Sequence, residues 1–548
     1  MTGKLCVIFC VVVSTCGFCQ ISEEVEKSLQ SVSPDAIEAT MSFLAHDLLE
    51  GRQPGTRGFA IASQYVETRF KDLGLKPGGE NNAYTQRVVL KKGIIDKSAS
   101  EFVLTNVKAP AWTYGNEFVF TPYMASGQSV VAAPLIFAGF GVSAPALGYD
   151  DYKGIDVRGK IVVLFDQAPD NFGNNERAYF SSPNTKYQEA VNRGAVGVVT
   201  LNMSRRTSWA AIVRRNAQGT LKWVDAQGQA HNSFEELKVI ASVNPEHHEI
   251  LFSRSGKKLQ DVFNKVKSGK PQSFALNIEA QSKATTKHST VESSNLIGVI
   301  PGSDPNLKNE FIVYVAHLDH FGIGNAVKGD SIYNGAHDNA SGVAILLEIG
   351  RAFTSLPVAP KRSIAIVVVT GEESGLLGSD YFANNPTVGG DIVANLTIDM
   401  PFFFHPVLDI VPYGAQHSTL SNGVAEATKV LNLQISPDPF PDQVIFIRSD
   451  HFSFVKRGIP ALFIKSGFKT LASDTIDRSK SDLAWRSTTY HTPQDDMTQV
   501  FDFGGAATHA KVNFLIGLFT ANDASRPSWN KGDFFGGKFG KRENPGKP

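Results

Sequence analysis

The chain has 548 residues, too many for one ordinary hydrophobic core, so two or more domains are expected. Its 53 basic and 53 acidic side chains cancel, and no long basic run stands out, which argues against nucleic acid as the main partner. After the N-terminal segment no apolar run reaches the roughly 18 residues of a membrane-spanning helix.

In chain order, residues 1–19 read as an export signal. Lys4 is a short positive start, Leu5 to Thr15 is apolar, and small residues follow. All four cysteines, Cys6, Cys10, Cys16 and Cys19, lie inside this segment. Cleavage before Gln20 would leave a mature chain with neither disulfide nor thiol chemistry, in the periplasm or outside the cell. The alternative is a lipidated Cys16 or Cys19, which the residues before them favour less. Residues 20–125 form the N-terminal part of the main domain. Ser33-Pro34 starts a helix, 51–56 is a turn, and Ala62, Val66, Phe70 and Leu73 mark one face of a second helix ending at Gly74. From about Ser126 to Thr285 the texture changes to short β runs punctuated by Gly, Pro and Asp, read as a β-rich insertion without metal ligands. A helix is predicted near 186–192. Strands and helices then alternate over 286–522, the pattern of an α/β sheet. Residues 523–548 read as an irregular tail in which Trp529, Phe534 and Phe535 could dock on the body.

Three apolar runs in the 286–522 region lead into candidate ligands: 311–316 into His317, 364–370 into Gly371-Glu372-Glu373, and 395–398 into Asp399. In an open parallel sheet the carboxyl ends of strands line one crevice, so such residues meet there. Asp338, in the turn before an apolar helix at 344–349, and His491 complete the set. Two histidines and three carboxylates suit zinc. Five ligands exceed one tetrahedral ion, so two ions sharing Asp338 are expected, about 3.5–4 Å apart. Adjacent Glu372 and Glu373 divide the work: one ligates and the other serves as general base. Asp319 is placed to hydrogen-bond a ligand histidine and fix its tautomer. Tyr490 is a candidate donor to a developing oxyanion. His320 and His337 are read as packed loop histidines, and His451 as a loop histidine beside a helix cap.

The ordered segments AHLDH, GAHDNASG, TGEESGLLGS, IDM, SDH, GIPALF and YHTPQDD resemble those of the co-catalytic two-zinc exopeptidases, which include bacterial leucyl aminopeptidases, aminopeptidase Y and glutamate carboxypeptidase. The resemblance covers about 34–120 and 290–522. It implies a mixed, mostly parallel sheet sandwiched by helices. One zinc would be held by His317 and Asp399 and the other by Glu373 and His491, with Asp338 bridging and Glu372 as the base. The segments FAGFGV, YDDYKGIDVRGKIVVLF and GAVGVV resemble the protease-associated domain inserted in several such enzymes. An aminopeptidase acting on peptides is the implied activity. A carboxypeptidase, a one-zinc glutaminyl cyclase and a non-catalytic receptor-like relative are the alternatives on the same scaffold. Pro401 departs from the glycine of many relatives, and the Phe402-Phe403-Phe404 run after it fits either an aromatic pocket that prefers large apolar side chains to acidic ones or three rings packed into the sheet's core.

Overall fold

The computed structural model describes residues 21–108, 110–204, 207–472 and 476–540. The expected export signal, residues 1–19, lies outside the described residues. Among the described residues no helix is long and apolar enough to cross a membrane.

The main sheet is built from β1 (Ser273–Ile300), β2 (Glu310–His317), β3 (Ser363–Val369), β4 (Asp391–Thr397), β5 (Asp409–Tyr413), β6 (Gln434–Ile435) and β7 (Ala461–Ser466). Their spatial order is β6-β5-β7-β4-β2-β3-β1. β2 pairs in parallel with both β3 and β4, and β4 with β7, while β1 and β5 join antiparallel. The sheet is thus mixed and mostly parallel, as expected. The central strands are apolar on both faces because helices cover both: every residue of β3 is buried, and so are Phe311 to His317 of β2. The helices Ser341–Thr354 and Phe503–Asn522 are almost wholly buried against it.

The N-terminal helices pack on this core through Ile37, Met41, Leu44, Val66 and Phe70. Ser33 caps the first, its Oγ accepting from the Ala36 amide. That helix ends at Leu44, and a separate 3₁₀ segment, Asp47–Arg52, comes after it.

A second sheet, with its own core, is made by Gln128–Ala138, Ile161–Phe165, Gly197–Leu201 and Val239–Val243, paired in parallel in that order, with antiparallel strands on either side. Helices such as Pro183–Asn192 and Leu259–Lys267 flank it, so the region is itself α/β rather than simply β-rich. Its core also takes Phe102, Leu104, Phe118 and Phe120, which the texture of the sequence had grouped with the N-terminal part. The reason is local: 101–105 and 118–120 are strands too short to reveal which sheet they join. β1 belongs to both sheets. Its first half pairs with Gln128–Ala138 and its second half with Thr85–Ile95 and β3.

The C-terminal stretch is more ordered than expected. Phe534–Phe539 is a short helix capped by Asp533, and Phe535 is fully buried. Trp529 donates from Nε1 to the Gly458 carbonyl, and Asp533 meets His417 at 2.5 Å.

Candidate metal centre

β4, β2 and β3 lie side by side and point the same way, so their carboxyl ends deliver Asp399, His317 and the Glu372-Glu373 pair to one edge of the sheet. Asp338 reaches this edge from the turn before the helix Ser341–Thr354. Gly335 makes that turn possible: its φ is +57°, and a Cβ there would sit 2.1 Å from the Asp338 carbonyl oxygen. His491 arrives on the loop after the helix Arg478–Thr488.

The five expected ligands converge. His317 Nε2 lies 3.2 Å from Asp338 Oδ1 and 3.7 Å from Asp399 Oδ1. His491 Nε2 lies 3.1 Å from Asp338 Oδ2 and 3.3 Å from Glu373 Oε2. Asp338 therefore turns one oxygen toward each set. Two groupings have donor atoms within 4.8 Å of one another: His317, Asp338 and Asp399, and His320, Asp338 and Glu373. His320 was missed as a functional candidate. It is fully enclosed, with Nδ1 2.7 Å from Glu373 Oε1 in an orientation that is not a hydrogen bond. Its three-residue spacing from His317 in Ala316-His317-Leu318-Asp319-His320 was the available signal.

These side chains are held by a surrounding layer of polar contacts. Asp319 was expected to hydrogen-bond a ligand histidine, and it meets His317 through its backbone and not its carboxylate. Its backbone carbonyl is 3.1 Å from His317 Nδ1, while the carboxylate accepts from the amides of Glu372, at 3.1 Å, and Glu373, at 3.4 Å. A carboxylate one strand-end away is better matched to the two exposed amides of the Gly371-Glu372-Glu373 turn. Asp495 of the YHTPQDD segment accepts from the amides of His337 and Asp338, both at 2.9 Å, and so sets the Asp338 turn. Ser449 donates to Asp399 Oδ2 at 2.6 Å. Buried Arg52 donates to the carbonyls of Leu318, Asn334 and Gly335, tying the His317 and Asp338 loops together. Sequence reasoning placed Arg52 in a turn and Asp495 only within the YHTPQDD segment, neither with a role, because these partners lie more than 150 residues away.

The electrostatics are those of crowded carboxylates. Burial pushes Glu372 and Glu373 well above the usual range, and neighbouring acids add to it. Asp338 is held well below it, against its burial, by the His317 and His491 imidazoles facing its two oxygens. Burial opposes the charge of His317, yet Glu372, Asp338 and Asp399 together keep it raised. Burial also raises Asp450 and Asp495 to about 7. His317 Nε2, Glu373 Oε1 and Asp399 Oδ1 are buried with no hydrogen-bond partner. Buried polar atoms are rarely left so, and a cation between them removes the cost. An N/O donor set of this kind fits zinc.

Beside this cluster is an open pocket lined by Asp338, Glu372, Asp399 and Tyr490. The Tyr490 ring stacks on His491 at 3.6 Å, and burial first, then the nearby carboxylates, hold its hydroxyl protonated. The phenylalanine run does not line this pocket. Phe403 is in the main core, and Phe402 and Phe404 pack with Trp485 around the buried His337 ring. The His337 ring is packed among these aromatics and lies in neither donor grouping. His451 is buried against the Phe446 carbonyl and is in neither grouping.

Residues 295–515, the span that contains every one of these donors, match the model of peptidase family M28. This stretch belongs to peptidase family M28. Curated relatives agree in part of their length. Leupeptin-inactivating enzyme 1 of Streptomyces exfoliatus is 29% identical over 224 residues, covering 38% of this chain and 44% of that protein. Probable leucine aminopeptidase 2 of Aspergillus fumigatus is 25% identical over 215 residues, covering 38% and 40%. The chain thus spans less than half the length of these relatives. Among solved structures, the aminopeptidase from Aneurinibacillus sp. strain AM-1 superposes with a TM-score of 0.50 at 19% identity, over 91% of this chain and 96% of that one. At that identity the likeness concerns the fold: the M28 stretch and the preceding sheet together follow a known arrangement.

Proposed function

We propose that the protein is an exported zinc-dependent aminopeptidase that removes N-terminal residues from peptides. The observation that carries this reading is the pair of orphaned donor sets that share Asp338, beside a glutamate that belongs to neither. One set would hold a first zinc through His317 and Asp399. The other would hold a second through Glu373 and His491, with His320 against Glu373. When bound, zinc supplies Lewis acidity for the scissile carbonyl and lowers the pKa of the attacking water.

The remaining work falls to the chain. Glu372, lining the pocket outside both donor sets, takes the proton of the attacking water and gives it to the leaving amine. Asp319 fixes the backbone of both glutamates, so the base keeps its place when Glu373 is engaged. The Tyr490 hydroxyl donates a hydrogen bond to the oxyanion. The carboxylates along the pocket edge receive the substrate α-ammonium, which favours an amino- over a carboxypeptidase. The second sheet, read as a protease-associated domain by its resemblance, walls the cleft and contributes neither ligand nor base.

Metal analysis of the purified protein alongside hydrolysis of aminoacyl p-nitroanilides tests this. Two zincs per chain and chelator-sensitive release of nitroaniline are expected. Absence of turnover in protein that holds zinc would reject the peptidase reading, and one zinc with cyclisation of N-terminal glutamine would replace it with a cyclase.

A further inference from the structure

The pocket beside the metal cluster has a second wall that the zinc chemistry does not use. Arg448, Lys465 and Arg486 line it together with Asp338, Glu372 and Asp399. The three cations come from three separate places: the turn after Ile445–Ile447, strand β7, and the helix Arg478–Thr488. Their convergence is therefore a tertiary feature and not a run of surface charge.

Each has capacity to spare. Arg448 is exposed and has no ion-pair partner among the described residues. Its neighbour Ser449 is bonded to Asp399, so its backbone is anchored one residue from the metal cluster. Lys465 is buried and donates to the Met400 carbonyl at 3.0 Å, which uses one of three donors. Arg486 pairs through Nε with Asp482 Oδ2 at 3.0 Å, leaving the rest of its fork. Lys465 and Arg486 also share the Phe402 ring, at 5.2 and 4.8 Å from its centroid. Two cations over one ring repel each other, and the three carboxylates of the pocket floor are taken up by the zinc chemistry and the substrate α-ammonium. The counter-charge that would suit this wall has to come from outside.

We propose that the pocket binds a carboxylate of the substrate, with Arg448, Lys465 and Arg486 as the specificity-determining residues. The inference rests on the aminopeptidase reading and narrows its substrate class. Guanidinium groups hold carboxylates with paired, charge-assisted hydrogen bonds, and an apolar side chain in the same place leaves their spare donors unmet. This replaces the expected aromatic pocket: Phe402 serves as the platform beneath the cations. A carboxylate can come from an acidic N-terminal side chain or from the free C-terminus of a short peptide.

The test uses the full-length zinc-loaded enzyme. kcat/KM is compared for glutamyl, leucyl and lysyl p-nitroanilides, and for Leu-Gly against Leu-glycinamide. A preference of about tenfold or more for the carboxylate-bearing member of either set is expected, since a charge-assisted hydrogen bond is worth about that factor. Glutamyl over leucyl identifies the side chain as the source; Leu-Gly over its amide identifies the C-terminus. Arg448→Ala, an exposed position, should cut the preference about tenfold through KM, and Arg448→Glu should cut it further. Zinc-dependent hydrolysis fastest on the leucyl anilide, with no effect of amidation or of Arg448→Glu on the ratios, would overturn the carboxylate pocket and leave the aminopeptidase standing. Zinc-loaded protein inactive on every substrate would overturn both.

Discussion

The two parallel sheets of this molecule bury charge in opposite ways. In the second sheet, Lys186 is fully enclosed yet donates to the carbonyls of Phe140, Phe165 and Gln167. Asp151 beside it accepts from the amides of Phe140 and Val142 and from the Tyr149 hydroxyl. In the M28 stretch, His317, Glu373 and Asp399 converge with atoms that find no hydrogen-bond partner. Desolvation opposes both arrangements, but only one is complete without a ligand. Burial alone does not mark a candidate site; several unmet ligand atoms of histidines and carboxylates converging on one point do.

The strongest way to break that contrast is to remove the base. Glu372→Gln should lower kcat by about 10²–10⁴ while zinc content stays at the wild-type level, because Glu372 is in neither donor set. Near-normal turnover in that variant would move the base elsewhere. Asp338→Asn should instead lose zinc as well as rate, since it removes an anionic oxygen from both sets at once. Two ions retained in Asp338→Asn would contradict the bridge.

Chelation should separate the two regions directly. With zinc removed, hydrogen exchange should quicken in β2 and β3, whose ends carry repelling carboxylates. Ile161–Phe165 and Gly197–Leu201 should keep their protection. Equal loss in both would mean that the regions are not independently satisfied. Lys186→Met is the converse experiment. It leaves three carbonyls unpaired and should cost about 1–3 kcal/mol in urea unfolding without changing zinc content.

The smallest effect concerns pH. Burial lowers His509 from 6.5 to about 3, with Nε2 on the Ser466 hydroxyl. Its native form is neutral, so between those values the unfolded chain binds more protons and stability falls as pH is lowered. Relative to His509→Gln, the wild type should lose stability by up to about 1.4 kcal/mol per pH unit below about 6.5. A difference that does not vary with pH would show that His509 is not held neutral.

Much of the site was legible because its chemistry sits at strand ends. The runs 311–316, 364–370 and 395–398 are so apolar that the polar residue following each is conspicuous, and parallel pairing does the rest. The features that escaped reading depend on long-range closure. Arg52 and Asp495 act on loops more than 150 residues away. Asp319 uses its carbonyl where its carboxylate was expected, a choice of atom that no spacing encodes. The cationic wall draws single residues from three elements, and each looks like an ordinary surface charge in its own segment. The phenylalanine run, the most visible local feature, fitted either a pocket wall or the core, and adjacency in sequence does not choose between them. The boundary of the second core was displaced for a similar reason: strands of three to five residues carry too little pattern to reveal their partner.

The long strand β1 has a mechanical consequence. It runs for 28 residues through both sheets, with one break in register between Ala275 and Glu279. The two regions are therefore joined by a beam as well as by linkers, and one half of that beam lies beside the strand that carries the Glu372 turn. Any opening of the cleft must bend or twist the beam, with the ladders on both sides resisting. A load applied to the second sheet, by a docked partner or a long substrate, would then reach the reaction centre as torque.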